Sequence, residues 1–136
     1  MIKTILPPPS ASKNKFNNNF SILNKLSDTY KFWHNLSKQI PKSSRFVLGN
    51  RINNILINCL EMTLLAEYAP GYKKLETAIK LSDQIDILKF HLKLLWEIKS
   101  IDDKKYLAIS LLVNDAGRMT GGWIKQLKNP KGGYQN

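Results

Sequence analysis

The sequence predicts an all-α protein, an antiparallel up-down four-helix bundle, on the strength of three observations. Four segments of about 20 to 30 residues carry apolar side chains at three- and four-residue spacing, which is typical of helices that bury one face. The connections between these segments are short, so neighbouring helices are expected to run antiparallel. An alternating apolar pattern of useful length and a GxGxxG motif are both missing, which argues against a sheet and a dinucleotide-binding unit.

One bundle domain is expected between two polar flanks. The chain has 136 residues, enough for one hydrophobic core but short of the length at which a second becomes common. Residues 1–18 contain Pro7-Pro8-Pro9 among serines, asparagines and lysines, with too little apolar surface to offset the entropy of ordering. We therefore predict a flexible basic arm at 1–18, the four-helix bundle at 19–128 and a flexible basic tail at 129–136.

Turn signals bound the first two helices. Helix one is expected from about Ser21 to Ile40, because Pro41 follows it as a stop. Helix two is expected from about Ser44 to Tyr68 and ends at the turn signal Ala69-Pro70-Gly71. The predicted core stripes are Ile22, Leu26, Tyr30, Trp33, Leu36 and Ile40 in the first helix, and Val47 or Leu48, Ile52, Ile55, Cys59, Met62 and Leu64 or Leu65 in the second.

Helix three, expected from about Tyr72 to Lys99, carries two apolar stripes. The core stripe is Leu81, Ile85, Leu88, Leu92 and Leu95 with Trp96, and the second stripe is Ile87, Phe90, Leu94 and Ile98. At 100° per residue the two stripes lie roughly 150° apart, too far for one core to cover both. The second stripe is therefore predicted to contact another subunit of a homo-oligomer or another partner.

Helix four is expected to begin at a capping box formed by Ser100 and Asp103. Its apolar positions include Ile109, Val113, Ala116, Trp123 and Leu127. Three glycines, Gly117, Gly121 and Gly122, interrupt the pattern, and each costs about 1 kcal/mol relative to alanine inside a helix. We expect the Gly117 and Gly121 pair to allow close approach of a neighbouring backbone, since no P-loop sequence follows.

The net charge predicts an anionic partner. Lysine and arginine number 21 against 10 acidic residues, giving a formal net charge of +11. The single cysteine, Cys59, cannot form an internal disulfide and lies in an apolar run, so a buried position and a reducing, cytoplasmic location are expected. No signal-peptide pattern or run of roughly 18 apolar residues is present, so we predict a soluble protein without a membrane-spanning segment.

Nothing in the sequence predicts catalysis, a metal site or a cofactor. Asp102-Asp103 is ordinary chemistry for the start of a helix, and no nucleophile is accompanied by a recognisable base. His34 and His91 stand alone at non-metal spacing. The tryptophans fall on or next to core stripes, which favours packing over base stacking.

The candidate nucleic-acid or partner contacts are eight cations: Lys42, Arg45, Arg51, Lys89, Lys93, Arg118, Lys125 and Lys128. The first three cluster at the start of helix two, where cations oppose the helix dipole, and this favours a binding role. Lys89 and Lys93 share a helix face, where either phosphate contact or ion pairs with Asp86 and Glu97 would account for them. Arg118 can pair with Asp115 or contact phosphate, and the last two lysines suit both the dipole and binding.

Several short segments, in this order, resemble the Avd-like family of four-helix-bundle proteins: Ile40-Pro41-Lys42, residues 45–52, Tyr68-Ala69-Pro70, residues 88–98 and residues 117–124. The resemblance covers about residues 20–128. This family contains the accessory variability determinant of diversity-generating retroelements, together with relatives encoded in intervening sequences of bacterial large-subunit ribosomal RNA genes.

The resemblance implies a basic homopentameric barrel that binds the retroelement's reverse transcriptase and nucleic acid, either template RNA or cDNA, and has no polymerase activity of its own. The family's basic residues on the third helix fall on Lys89 and Lys93. An alternative is a stand-alone member of the ribosomal-RNA intervening-sequence type with an RNA-associated structural role. A third possibility is a protein that binds the membrane surface through its basic, amphipathic third helix. We predict nucleic-acid and protein partners and no membrane partner.

Overall fold

A computed structural model of the protein describes residues 18–129. Its four long helices are α1 (Asn18–Ser37), α2 (Asn50–Ala66), α3 (Gly71–Glu97) and α4 (Asp103–Lys128). No strand occurs between residues 18 and 129, so the all-α prediction is confirmed for that part of the chain. The predicted arm and tail lie outside the described residues except for Asn18, which begins α1, and Asn129, which caps α4.

Each helix packs against the next in the chain, and α4 returns to pack against α1. The connections are only a few residues long except before α2, so consecutive helices run antiparallel and form the predicted four-helix bundle. The α1–α2 and α3–α4 connections meet at one end of the bundle, which we call the upper end. The opposite end, with the α2–α3 connection, the start of α1 and the end of α4, is the lower end.

The core draws on one face of each helix, as amphipathic spacing requires. Its largest fully buried side chains are Ile22, Leu26, Trp33, Ile40, Ile52, Ile55, Leu56, Leu81, Ile85, Leu88, Leu92 and Leu95. Where the spacing left two choices in α2, Leu48 and Leu64 are half-buried while Val47 and Leu65 are exposed. Cys59 is fully buried, as predicted, and this burial raises the pKa of its thiol to about 12.

The beginning of α2 differs from the prediction. A single helical turn, Lys42–Ser44, leads into a π-helical segment, Arg45–Gly49, before regular α-helix begins at Asn50. A π-helix closes its hydrogen bonds over five residues, so it shifts side chains out of the 3.6-residue phase. Phe46 and Val47 face solvent, although they continue the apolar run of the sequence.

The α3–α4 connection begins with a Schellman motif. The Ser100 amide donates to the Leu95 carbonyl at 3.0 Å and the Lys99 amide to the Trp96 carbonyl at 2.9 Å, with Lys99 in the left-handed region at φ 62°. Ser100 therefore closes α3, and the capping box predicted for it is wrong. Asp102 caps α4 instead, because its Oδ1 accepts the Lys105 amide at 2.8 Å.

Candidate nucleic-acid interface

Two predicted contact residues lie free at the upper end of the bundle. Lys42 and Arg51 are exposed, and neither side chain has a hydrogen-bond or ion-pair partner among residues 18–129. The Ser44 and Ser100 hydroxyls lie 2.6 Å apart and join the two connections at this end. The upper end therefore holds cations from both connections, including exposed lysines that the sequence analysis did not single out: Lys38, Lys99 and Lys104.

Arg45 has a structural role that the dipole argument overlooked. Its Nη2 donates to the Ile40 carbonyl at 2.8 Å and to the Lys38 carbonyl at 3.3 Å, beyond the end of α1. A cation is favourable there, because the carbonyl end of a helix carries partial negative charge. The carbonyls at the end of α1 therefore account for an arginine near the start of the lead-in to α2. Because its guanidinium is already hydrogen-bonded, Arg45 is less available to a ligand.

The pair on α3 separates into two environments. Lys93 is exposed, and its Nζ lies 3.9 Å from Oε2 of Glu97, one helical turn later. An exposed ion pair of this kind contributes about a few tenths of a kcal/mol to stability. Lys89 is half-buried beside α4 and has no acidic partner; in particular it does not pair with Asp86. The ion-pair interpretation therefore applies to Lys93 and leaves Lys89 unexplained.

On α4, Arg118 pairs with Asp115 through Nη2, and the same carboxylate lies 3.7 Å from Lys25 of α1. Two cations thus share one carboxylate, so the site keeps positive charge. Lys125 and Lys128 are exposed in the last turn of α4 at the lower end, without a side-chain partner in the described part of the chain. Both are favourably placed for the helix dipole and remain accessible to an anion.

Five of the eight predicted cations therefore have no side-chain partner within residues 18–129: Lys42, Arg51, Lys89, Lys125 and Lys128. They lie at three places, the upper end, the α3–α4 groove and the lower end. All ten acidic residues of the sequence fall within residues 18–129, so the flanks supply no aspartate or glutamate to neutralise them. Within the described residues, the surface therefore retains cations that are accessible to an external anion.

The second stripe of α3 is exposed in part. Phe90 and Ile98 are 57% and 56% exposed, Leu94 is half-buried, and Ile87 is half-buried and packs against the bundle's own core. Tyr72 and Ile79 lie on the same outer face and are also exposed. By contrast, α1 has no exposed large apolar side chain among its described positions, so the apolar surface is confined to the other helices and the lead-in to α2.

The expected close backbone approach at the glycines is wrong within the chain. A Cβ at Gly117 would meet side-chain atoms of Lys89 and Ile85, and a Cβ at Gly121 or Gly122 would meet nothing within 4 Å. Trp33 and Trp123 are buried, as predicted. Trp96 is half-buried and stacks on Tyr106 with ring centroids 4.6 Å apart, while its Nε1 donates to Asp103.

The acidic pair at the start of α4 is structural. The hydrogen bond from the Lys105 amide and the nearby lysine charges hold the pKa of Asp102 below its ordinary value, so this carboxylate is an N-cap. In residues 18–129 no three histidine, cysteine or acidic side chains gather as a metal site requires. None of the helices in that range has the length and hydropathy to cross a bilayer.

Comparison with models of protein families gives a match that covers most of the chain. The family model described as bAvd-like matches residues 20–127. This range contains all four helices apart from their outermost residues. No curated protein matches the chain.

Proposed function

Because the chain belongs to the bAvd-like family, as the match over residues 20–127 establishes, we propose that it is a non-enzymatic accessory protein of a diversity-generating retroelement. In this role it binds the retroelement's reverse transcriptase and nucleic acid, template RNA or cDNA, and supports mutagenic reverse transcription in the cytoplasm. The observation that carries the proposal is this family membership in a chain of net charge +11.

The placement of the cations supports an electrostatic mechanism. Phosphate contacts release counterions, so affinity for a single strand falls with salt by a logarithmic slope of about −0.7 per neutralised phosphate. If the five unpaired cations each contact one phosphate, the slope per chain is about −3.5, and affinity drops roughly a hundredfold between 50 and 200 mM salt. Arginine at Arg51 can bind phosphate in a bidentate manner, whereas the four lysines act as point charges.

The exposed apolar face of α3 supports assembly into a homo-oligomer, which we take to be a homopentamer. A ring uses a heterologous contact, in which the α3 face of one protomer meets a different surface of the next. The apolar side chains on the outer surfaces of α2 and α4, including Leu65, Leu107 and Leu111, provide candidates for that second surface. Assembly multiplies the charge of one chain and so strengthens attraction to a polyanion.

The mass of the purified protein in solution, with and without a structured RNA, tests the proposal. Light scattering at low salt should give a species near five times the 15.6 kDa chain mass, which gains mass with RNA and loses that gain at 300 mM salt. The partner reverse transcriptase should then co-elute with the complex. A monomer indifferent to RNA and to the polymerase would refute the proposal.

The genomic surroundings separate the retroelement role from the stand-alone alternative. A reverse-transcriptase gene with template and variable repeats beside this gene is expected. A location inside a large-subunit ribosomal RNA gene would instead favour the intervening-sequence type.

A further inference from the structure

Lys89 occupies a place that Gly117 leaves open. A Cβ built on Gly117 would lie 3.3 Å from the Lys89 Nζ, so the ammonium would have to shift by a few tenths of an ångström, while the Lys89 Cε at 3.7 Å would be in ordinary contact. The glycine lies inside α4, where it costs about 1 kcal/mol relative to alanine. The glycine therefore lets a half-buried lysine, with no acidic partner, bring its charge against α4.

A small pocket adjoins this lysine in the groove between α3 and α4. It has a volume of about 140 Å³ and is lined by Lys89, Leu92, Tyr106, Ser110, Val113 and Asn114. Leu92 and Val113 are buried and form an apolar floor, while Asn114 is exposed at the mouth. The pocket thus combines one cation and several polar side chains with an apolar floor.

The polar side chains of the pocket are free to bind a ligand. Thr29, Thr63 and Thr120 each donate to the carbonyl four residues earlier, as helical hydroxyls commonly do. Ser110, also inside a helix, makes no such bond, and neither Ser110 nor Asn114 has a side-chain partner among residues 18–129. Two donors and an ammonium are therefore unpaired around one cavity.

We propose that this pocket seats one phosphate group, with the Lys89 ammonium supplying the charge and the Ser110 hydroxyl and Asn114 amide donating hydrogen bonds. The inference rests on the proposed function, because it takes the phosphate from a nucleic-acid backbone. An engineered cavity of about 150 Å³ accepts a benzene molecule, so 140 Å³ suits a single tetrahedral anion but not a nucleoside. Charge-assisted hydrogen bonds above an apolar floor are stronger than contacts to a fully solvated lysine.

The pocket stays accessible when the outer face of α3 is covered. Apart from Lys89 and Leu92, its lining residues belong to α4. At 100° per residue, Lys89 lies about 100° around α3 from Phe90 and about 140° from Leu94. On α3, phosphate binding and the proposed assembly face therefore use different sides of the helix.

Two glycines on the same helix provide a matched test. Gly117→Ala should shift the Lys89 ammonium by a few tenths of an ångström, whereas Gly121→Ala enters open space, and neither changes the net charge. Ser110→Ala is a second uncharged change that removes a donor without adding bulk. Fluorescence anisotropy with a labelled single-stranded 20-nucleotide RNA at low salt measures affinity for all three variants in the full chain.

We expect Gly117→Ala and Ser110→Ala to weaken RNA binding by about fivefold to tenfold, and Gly121→Ala to leave it within twofold. A non-specific cationic surface would not respond to these uncharged changes. If the wild type binds RNA and all three variants match it, the pocket inference is overturned while the proposed function stands.

Inorganic phosphate distinguishes the two sources of the anion. In ¹H–¹⁵N spectra of the wild type, phosphate at constant ionic strength should shift the Asn114 side-chain amide saturably, and Ser110→Ala should raise the phosphate concentration at half-saturation by about fivefold to tenfold. That shift without any RNA binding would identify a free-phosphate site and overturn both the nucleic-acid source and the proposed function. If neither RNA nor phosphate binds, the pocket inference is wrong as well.

Discussion

Phe90 and Ile98 project from the outer face of α3, and replacing both with glutamate should dissociate the proposed homo-oligomer without unfolding the chain. Each side chain has more than half of its surface exposed in the single chain, so the bundle itself loses little when they are replaced. Ile87 is a poorer target, because it packs against the core. The Phe90→Glu and Ile98→Glu pair therefore separates assembly from folding.

The magnitude follows from the surface that assembly would bury. Complete burial of a large apolar side chain contributes about 1.5–3 kcal/mol. In the single chain Phe90 is still 57% exposed and Ile98 56% exposed, so assembly can bury just over half of each. Their combined contribution is about 2–3 kcal/mol per interface, or roughly 30-fold to 150-fold in the dissociation constant. Glutamate adds the desolvation of an unpaired charge, which is worth several further kcal/mol.

Sedimentation velocity at micromolar concentration measures the outcome, with circular dichroism to confirm the helical fold. The control is Asn24→Glu with Asn35→Glu, which adds the same charge to exposed positions of α1, where residues 21–37 include no exposed large apolar side chain. The control should keep the wild-type mass. An unchanged mass for the folded α3 variant would refute the assignment of this face to assembly.

Three further outcomes concern stability. Arg45→Met keeps the aliphatic stem but loses the bonds to the Lys38 and Ile40 carbonyls, so urea unfolding should show a loss of about 1–3 kcal/mol. Gly122→Ala removes an exposed glycine from α4 and should raise the free energy of unfolding by up to about 1 kcal/mol, seen as a rise of about 4 °C in Tm. Burial raises the pKa of the Cys59 thiol in the folded protein, so with rising pH the thiol ionises in the unfolded chain before it ionises in the folded one. The free energy of unfolding should therefore fall as pH rises from the ordinary value of 9.0 towards 12, and this part of the slope should vanish in Cys59→Ala.

The helices and their core faces were predictable because burial imposes a period on the sequence. Ile52, Ile55 and Cys59 repeat at three and four residues, and all three are fully buried. The family resemblance was also predictable, from the order of several short segments, and the match over residues 20–127 confirms it. These features depend on patterns that lie within one helix or follow the order of the chain.

Features that depend on contacts between helices were not predictable. Spacing alone could not reveal that Arg45 caps the end of α1, since the carbonyls it meets belong to another element. The π-helical segment Arg45–Gly49 was itself not predicted, because the prediction assumed 3.6 residues per turn throughout. The atoms next to Gly117 belong to Lys89 and Ile85 of α3, so the reason for a glycine at this position could not be predicted from the sequence of α4 alone.

An even number of antiparallel helices determines where the flanking segments leave the bundle. Residues 18 and 129 both lie at the lower end, where Lys125 and Lys128 are exposed. The flanks continue the chain from these two residues, and their sequence contains Lys3, Lys13, Lys15 and Lys131 but no aspartate or glutamate. Positive charge gathered in this way steers diffusional encounter, which raises association rates with a polyanion at low ionic strength. Under the proposed function, the exposed Lys125 and Lys128 therefore make the lower end one of the places that attract RNA before any specific contact forms.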